Sequence, residues 1–212
     1  MGCGLSDSGI REVGQAAYGL LPVDSGEVSL PTHNVSIGNP YQALQNRVAY
    51  VPKDRDGEAL MMGASIQNNF CLPSVETLKG RFGFLSPKKL YQASSKAREQ
   101  FSVKSTGVDQ LMRALSGGNK QKVNLGRWLI KDLDVLIVDC PTRGVDIGVK
   151  AYIYQCLREA KEKGMAILLI TDELSEVLGM ADTIAVMKDG EICKLLPRSA
   201  ELSEETIIEV MT

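Results

Sequence analysis

Short unbroken apolar runs along the chain alternate with longer stretches in which apolar residues recur at helical spacing. Residues 133–139 place Val135, Leu136, Ile137 and Val138 in succession, and residues 166–170 repeat the pattern. Runs of this length suit strands buried on both faces of a parallel sheet. Residues 46–51 carry Val48, Ala49, Tyr50 and Val51 and predict a third such strand, ending at Pro52. Residues 150–163 set Ile153, Cys156, Leu157 and Ala160 on one face and predict a helix stopped by Gly164. A further helix is expected over 10–20 with Gly19 near its end, then a turn at 22–26 and a short strand over 27–30. Residues 183–187 and 191–195 flank Lys188-Asp189-Gly190, a hairpin whose Asp-Gly step suits a type I′ turn. Residues 62–113, rich in Ser, Gln and Lys, predict a helical subdomain. Strands alternating with helices give the α/β class: a parallel-core sheet flanked by helices, with a helical subdomain and a small antiparallel part.

Composition keeps this picture ordinary. With 212 residues, 44% hydrophobic and 24% charged, the chain suffices for one globular domain with a subdomain. A net charge of −2 leaves no electrostatic footprint for nucleic acid or an anionic membrane surface. The five cysteines (Cys3, Cys71, Cys140, Cys156, Cys193) show no paired metal spacing, and their odd number argues against a disulfide framework. Buried thiols in a reducing cytosol are expected. No stretch reaches the about 18 apolar residues of a membrane span, and no secretory leader is recognisable, so a membrane link is expected only through a partner. The single histidine, His33, is expected in a surface loop.

Candidate chemistry concentrates in two segments. Leu115-Ser116-Gly117-Gly118-Asn119-Lys120-Gln121 opens an amphipathic stretch. A Ser-Gly-Gly step at a helix start gathers free N–H groups at one spot and lets a phosphate approach without a Cβ in the way. Taken alone, it also fits an ordinary helix capped by Ser116. Asp139 ends the strand of 135–138, where open α/β sheets bind ligands, and in a nucleotide site it would hold Mg²⁺. The plainer alternative is an Asp that caps the turn after it.

Leu115–Lys122, then Arg127-Trp128-Leu129, then the strand and Pro141-Thr142-Arg143-Gly144-Val145-Asp146, resemble the ATPase domains of ABC transporters. The Asn119-Lys120-Gln121 variant and Arg143-Gly144-Val145-Asp146 are most similar to importers of simple sugars and nucleosides, and to the second of two tandem ATPase domains. The resemblance runs from Gly4 to about Gly190. It implies a P-loop NTPase-like fold, with 1–61 and 114–212 as the ATPase core and 62–113 as the helical subdomain leading to the signature. It implies ATP and Mg²⁺ as cofactors, with Gly4, Ser8, Gly9, Arg11 and Lys53 at the chain's own nucleotide and Asp139 at the metal. Leu115, Ser116, Gly117, Gly118, Asn119 and Gln121 become the signature that completes a partner's site, with Gly144, Val145 and Asp146 lining the interface. The implied partners are a second ATPase domain, on the same or another polypeptide, and transmembrane permease subunits. An extracellular solute-binding protein acts indirectly, and no nucleic acid is involved. The expected place is the cytoplasmic face of the cell membrane.

The departures from this pattern lie in the chain's own site. A phosphate loop needs Gly-x₄-Gly-Lys-[Ser/Thr]. Gly4-Leu5-Ser6-Asp7-Ser8-Gly9 keeps the spacing, but Ile10 and Arg11 follow, and Asp7 repels phosphate. The resemblance places Cys140 where a water-activating Glu belongs, Asp172 at the switch His and Lys53 at the sensing Gln. The expected domain therefore has no intact catalytic residue of its own and an intact signature for a partner, and is inactive or very weak alone. A non-catalytic scaffold of the same fold is the alternative. A DNA-repair or translation ATPase would need a coiled-coil insertion or basic surface, and neither is present. The strand before the loop is expected to be missing, leaving a gap in the sheet.

Overall fold

The computed structural model describes residues 2–4, 8–30, 33–199 and 202–211. The chain divides into two compact units, the first Met1–Tyr50, Asp134–Cys140 and Leu157–Thr212, the second Val51–Leu133 and Pro141–Cys156. The expected subdomain over 62–113 falls inside the second unit.

The first unit is organised by a six-stranded sheet. Its strands are β1 (Gly2–Gly4), β4 (Val48–Val51), β5 (Val135–Asp139), β6 (Ala166–Thr171), β7 (Thr183–Lys188) and β8 (Glu191–Pro197), in the order β4-β5-β6-β1-β7-β8. β5, β6, β1 and β7 pair in parallel, and β7 and β8 are antiparallel. The apolar runs are buried as their lack of alternation requires: Leu136, Ile137 and Val138 are at most 2% exposed. A separate pair, β2 (Ser29–Leu30) and β3 (Val35–Ser36), supplies the small antiparallel part.

The expected gap in the sheet is filled. Gly2–Gly4 form a strand between β6 and β7, with Gly2 opposite both Ile170 and Ala185. A Gly-Cys-Gly segment carries no apolar signature, because its strand character comes from the two strands it bridges.

Helix α1 (Ile10–Ala17) is shorter than the expected 10–20. It ends in a Schellman motif: Gly19 at φ 78 donates to Ala16 O and Leu20 donates to Gln15 O. After the short helix α2 (Pro40–Gln45), the second unit builds its helices in sequence: α3 (Ile66–Cys71), α4 (Val75–Leu78), α5 (Pro87–Gln100) and α6 (Gly117–Leu129). Its core stacks Phe70 on Phe101 with ring centroids 6.3 Å apart, and Gly126 lets that ring lie against α6. Helix α7 (Ile147–Glu162) stops as expected at Gly164, again through a Schellman pair, Gly164 to Lys161 O and Met165 to Ala160 O. α8 (Leu174–Met180) and α9 (Glu204–Met211) close the first unit around Val177, Ile184, Val186 and Ile207.

His33 lies in a turn and is partly exposed, as expected, and its Nε2 lies 2.7 Å from Asp134, which also binds Arg47 at 3.0 Å. One minor expectation is corrected. Cys71, Cys140 and Cys156 are buried and in no disulfide, but Cys193 is exposed because β8 is an edge strand. Among the described residues, no helix is long and apolar enough to cross a membrane.

Candidate functional site

Of the residues expected at the chain's own site, Gly4, Ser8, Gly9, Asp139 and Asp172 lie at or just past the carboxyl ends of β1, β5 and β6, and Arg11 lies on α1. Gly4 ends β1, and Gly9 at φ 82 caps α1. Between them, Leu5–Asp7 lie outside the described residues, so the expected repulsion by Asp7 does too. Ser8 is 3% exposed, and its Oγ has no hydrogen-bond partner among the described residues. The loop is backed by the β7–β8 turn. Gly190 donates to Ser8 O at 3.0 Å, and a Cβ on Gly9 would sit 3.2 Å from Gly190 Cα.

Helix α1 is drawn onto the sheet at Gly14, where any Cβ would overlap Ile170 and touch Ile137 and Tyr50. Arg11, three residues earlier, shares that face. Its Nε lies 3.1 Å from Asp139 Oδ2, while Asp139 itself is 1% exposed. Tyr50, from β4, donates its hydroxyl to the same oxygen at 3.2 Å and stacks on Tyr18. Burial first, then the Asp139 charge and the hydrogen bond to it, push the Tyr50 phenol well above its ordinary range, with Arg11 acting the other way.

Mg²⁺ wants near-octahedral oxygen ligation. Here one carboxylate oxygen of the buried Asp139 already receives two donors, Arg11 stands where the loop pattern calls for a metal-binding hydroxyl and offers no oxygen, and no cluster of three His, Cys, Asp or Glu able to hold a metal exists among the described residues. The residues around Asp139 therefore do not fit a divalent cation. Cys140 is 8% exposed at φ 45, and its N–H donates to Ile170 O at 2.8 Å. Asp172 is exposed just past β6, and Glu173 caps α8 without a side-chain capping bond.

The second unit brings the signature residues together. Ser116 is the N-cap of α6 and exposed, Leu115 is buried beneath it, and Asn119 Nδ2 donates to Ser116 Oγ at 2.9 Å. Lys104 N–H donates to Asn119 Oδ1, and Gln121 Nε2 to Pro141 O at 2.6 Å. Arg55 Nη1 donates to Gly117 O at 2.9 Å. Asp56 joins Arg55 to Lys120; burial pushes its carboxyl up, but the hydrogen bonds from these two cations hold it below the usual range.

The expected interface loop abuts this tip. Gly144 O lies 3.7 Å from where a Cβ of Gly117 would be, and Asp146 Oδ1 accepts from Val149 N–H at the start of α7. Lys53, three residues past Tyr50, falls in the second unit. Sequence reasoning missed Tyr50, Arg55 and Val149. Only Arg55 had a local signal, the alternating charges of Asp54-Arg55-Asp56.

The ABC transporter family model matches residues 12–143. A ribose import ATP-binding protein of Lactococcus lactis is 37% identical over 209 residues, 99% of this chain and 42% of that protein. A putative ribose/galactose/methyl galactoside import ATP-binding protein of Burkholderia lata is also 37% identical, over 99% of this chain and 41% of its own length. The chain thus spans about two fifths of these relatives. Among solved structures, a nucleotide-free ATP-binding cassette superposes with a TM-score of 0.80 at 22% identity, over 99% of this chain and 85% of the other. A dimeric cassette in a post-hydrolysis state with ADP and Pi gives 0.80 at 19% identity, over 94% and 84%. With a family model matched over more than half of its length and relatives at 37% identity along nearly all of it, the chain belongs to the ABC transporter ATP-binding family.

Proposed function

We propose that this chain is the second ATP-binding domain of a sugar- or nucleoside-type ABC importer, and that its signature completes a partner domain's ATP site. The observation that carries this reading is the exposed tip of α6. Ser116 and the amides of Gly117 and Gly118 lie beside Gly144–Asp146, fixed from behind by Arg55 and Gln121. Such a tip supplies preorganised donors to a γ-phosphate held by another domain's loop, where they strengthen as charge develops. ATP and Mg²⁺ would be held by that partner.

The chain's own site is hydrolytically silent in this reading. A thiol stands at Cys140 where a carboxylate base would be worth about 10²–10⁴ in rate, and Arg11 already engages Asp139. Closure of the two ATPase domains around ATP, then hydrolysis and reopening, drives two membrane-embedded permease subunits fed by an extracellular binding protein. The domain then works at the cytoplasmic face of the membrane. The ribose and galactose importer relatives support the sugar class.

ATP turnover of the assembled importer carrying Ser116→Arg tests the reading. Loss of about a hundredfold in turnover is expected for a removed transition-state donor. Unchanged turnover would replace it with a scaffold role.

A further inference from the structure

A divalent cation held at a strand-end Asp would need an accessible carboxylate and a neighbouring hydroxyl. In this chain Arg11 Nε sits 3.1 Å from Asp139 Oδ2 and Tyr50 OH is 3.2 Å from the same atom. Asp139 is 1% exposed, whereas the Arg11 side chain is 36% exposed, so the guanidinium joins a buried anion to the open side. Its position is set by packing, since Gly14 seats α1 against Ile170 and Ile137. A guanidinium stays charged at any working pH, and a cation already seated on Asp139 repels a second.

Beside it the loop keeps features of an anion site. Gly9 begins α1 in a left-handed conformation, and buried Ser8 Oγ has no partner among the described residues. We propose that Arg11 takes the place of the divalent cation at Asp139, so that the chain's own site holds a nucleoside phosphate without Mg²⁺. This deepens the reading of that site as hydrolytically silent, and rests on it. The fixed charge of Arg11 offsets the phosphates but orients no metal-bound oxygen, so retention without turnover follows from the same residue.

The test is titration of the chain with fluorescent N-methylanthraniloyl-ATP, in excess EDTA and in excess MgCl₂. The wild-type affinities should agree within about twofold. Arg11→Ser, which opens Asp139 and supplies a hydroxyl, should bind about tenfold tighter with Mg²⁺ than with EDTA. Arg11→Lys, which keeps the charge, should remain indifferent to the metal and guards against a folding defect in the serine variant. Wild-type binding tightened about tenfold by Mg²⁺, or no binding in either condition, would overturn the proposal. Neither result bears on the signature, which is read separately from importer turnover with Ser116→Arg.

Discussion

Gly118 and Val149 approach so closely that a methyl group on the first would lie 2.7 Å from Cγ2 of the second. This contact, with Asp146 Oδ2 at 3.7 Å from the same point, ties the signature tip to the start of α7. Val149 is β-branched and cannot swing aside cheaply. Gly118→Ala should cost about 1–2 kcal/mol by overpacking, read as a lower urea midpoint. Val149→Ala in the same chain should recover most of that loss, because the two positions share one space.

Gly19 and Gly26 have nearly the same backbone, φ 78 and 79, but different surroundings. A Cβ on Gly26 meets nothing within 4 Å, whereas one on Gly19 would lie 2.6 Å from the Asn39 backbone. Gly26→Ala should cost only the left-handed strain, about 1 kcal/mol. Gly19→Ala must also displace main chain and should cost about 3 kcal/mol, seen as the larger fall in thermal midpoint. Equal costs would mean that the Gly19 turn yields freely.

Much of this architecture was legible because burial was local in the sequence. The uninterrupted apolar runs gave β5 and β6, the spacing of Ile153, Cys156, Leu157 and Ala160 gave α7, and Asp189-Gly190 gave a turn with φ 50 and 82. β1 was not legible, since two glycines and a cysteine become a strand only between β6 and β7. Nor was the Arg11–Asp139 contact, whose partners are 128 residues apart and meet because Gly14 lets a helix touch the sheet. The signature residues were legible as a motif, but their bracing by Arg55 depends on a fold-back that no spacing announces.

Tyr50 should shape the alkaline limit of stability. Its phenol is held protonated in the folded chain well beyond the range in which a free tyrosine ionises, about 10. The unfolded chain therefore releases that proton first, so stability is full below about pH 10 and falls as pH rises above it. Tyr50→Phe should flatten this fall in denaturant midpoint. At neutral pH it should cost about 1.5–3 kcal/mol, for the lost hydrogen bond to a buried carboxylate.

Gly190 serves two purposes, a positive φ in the hairpin turn and an N–H donated to Ser8 O. Gly190→Ala keeps the donor and should cost about 1–2 kcal/mol in urea unfolding. Gly190→Pro removes the donor and cannot adopt φ 82, so it should release the Ser8 carbonyl and speed hydrogen exchange at the start of α1, read at the Val13 amide, which donates to Gly9 O. An amide equally protected in both variants would show that the turn does not hold the loop.

The three residues of β1 have a consequence for the chain's behaviour in solution. Among the described residues they alone link β6 to β7, so if they come away, two rows of unpaired backbone amides and carbonyls open down the middle of the sheet. Such rows recruit strands from other molecules. Self-association of this polypeptide should therefore track the docking of Gly2–Gly4 more closely than the integrity of its helices.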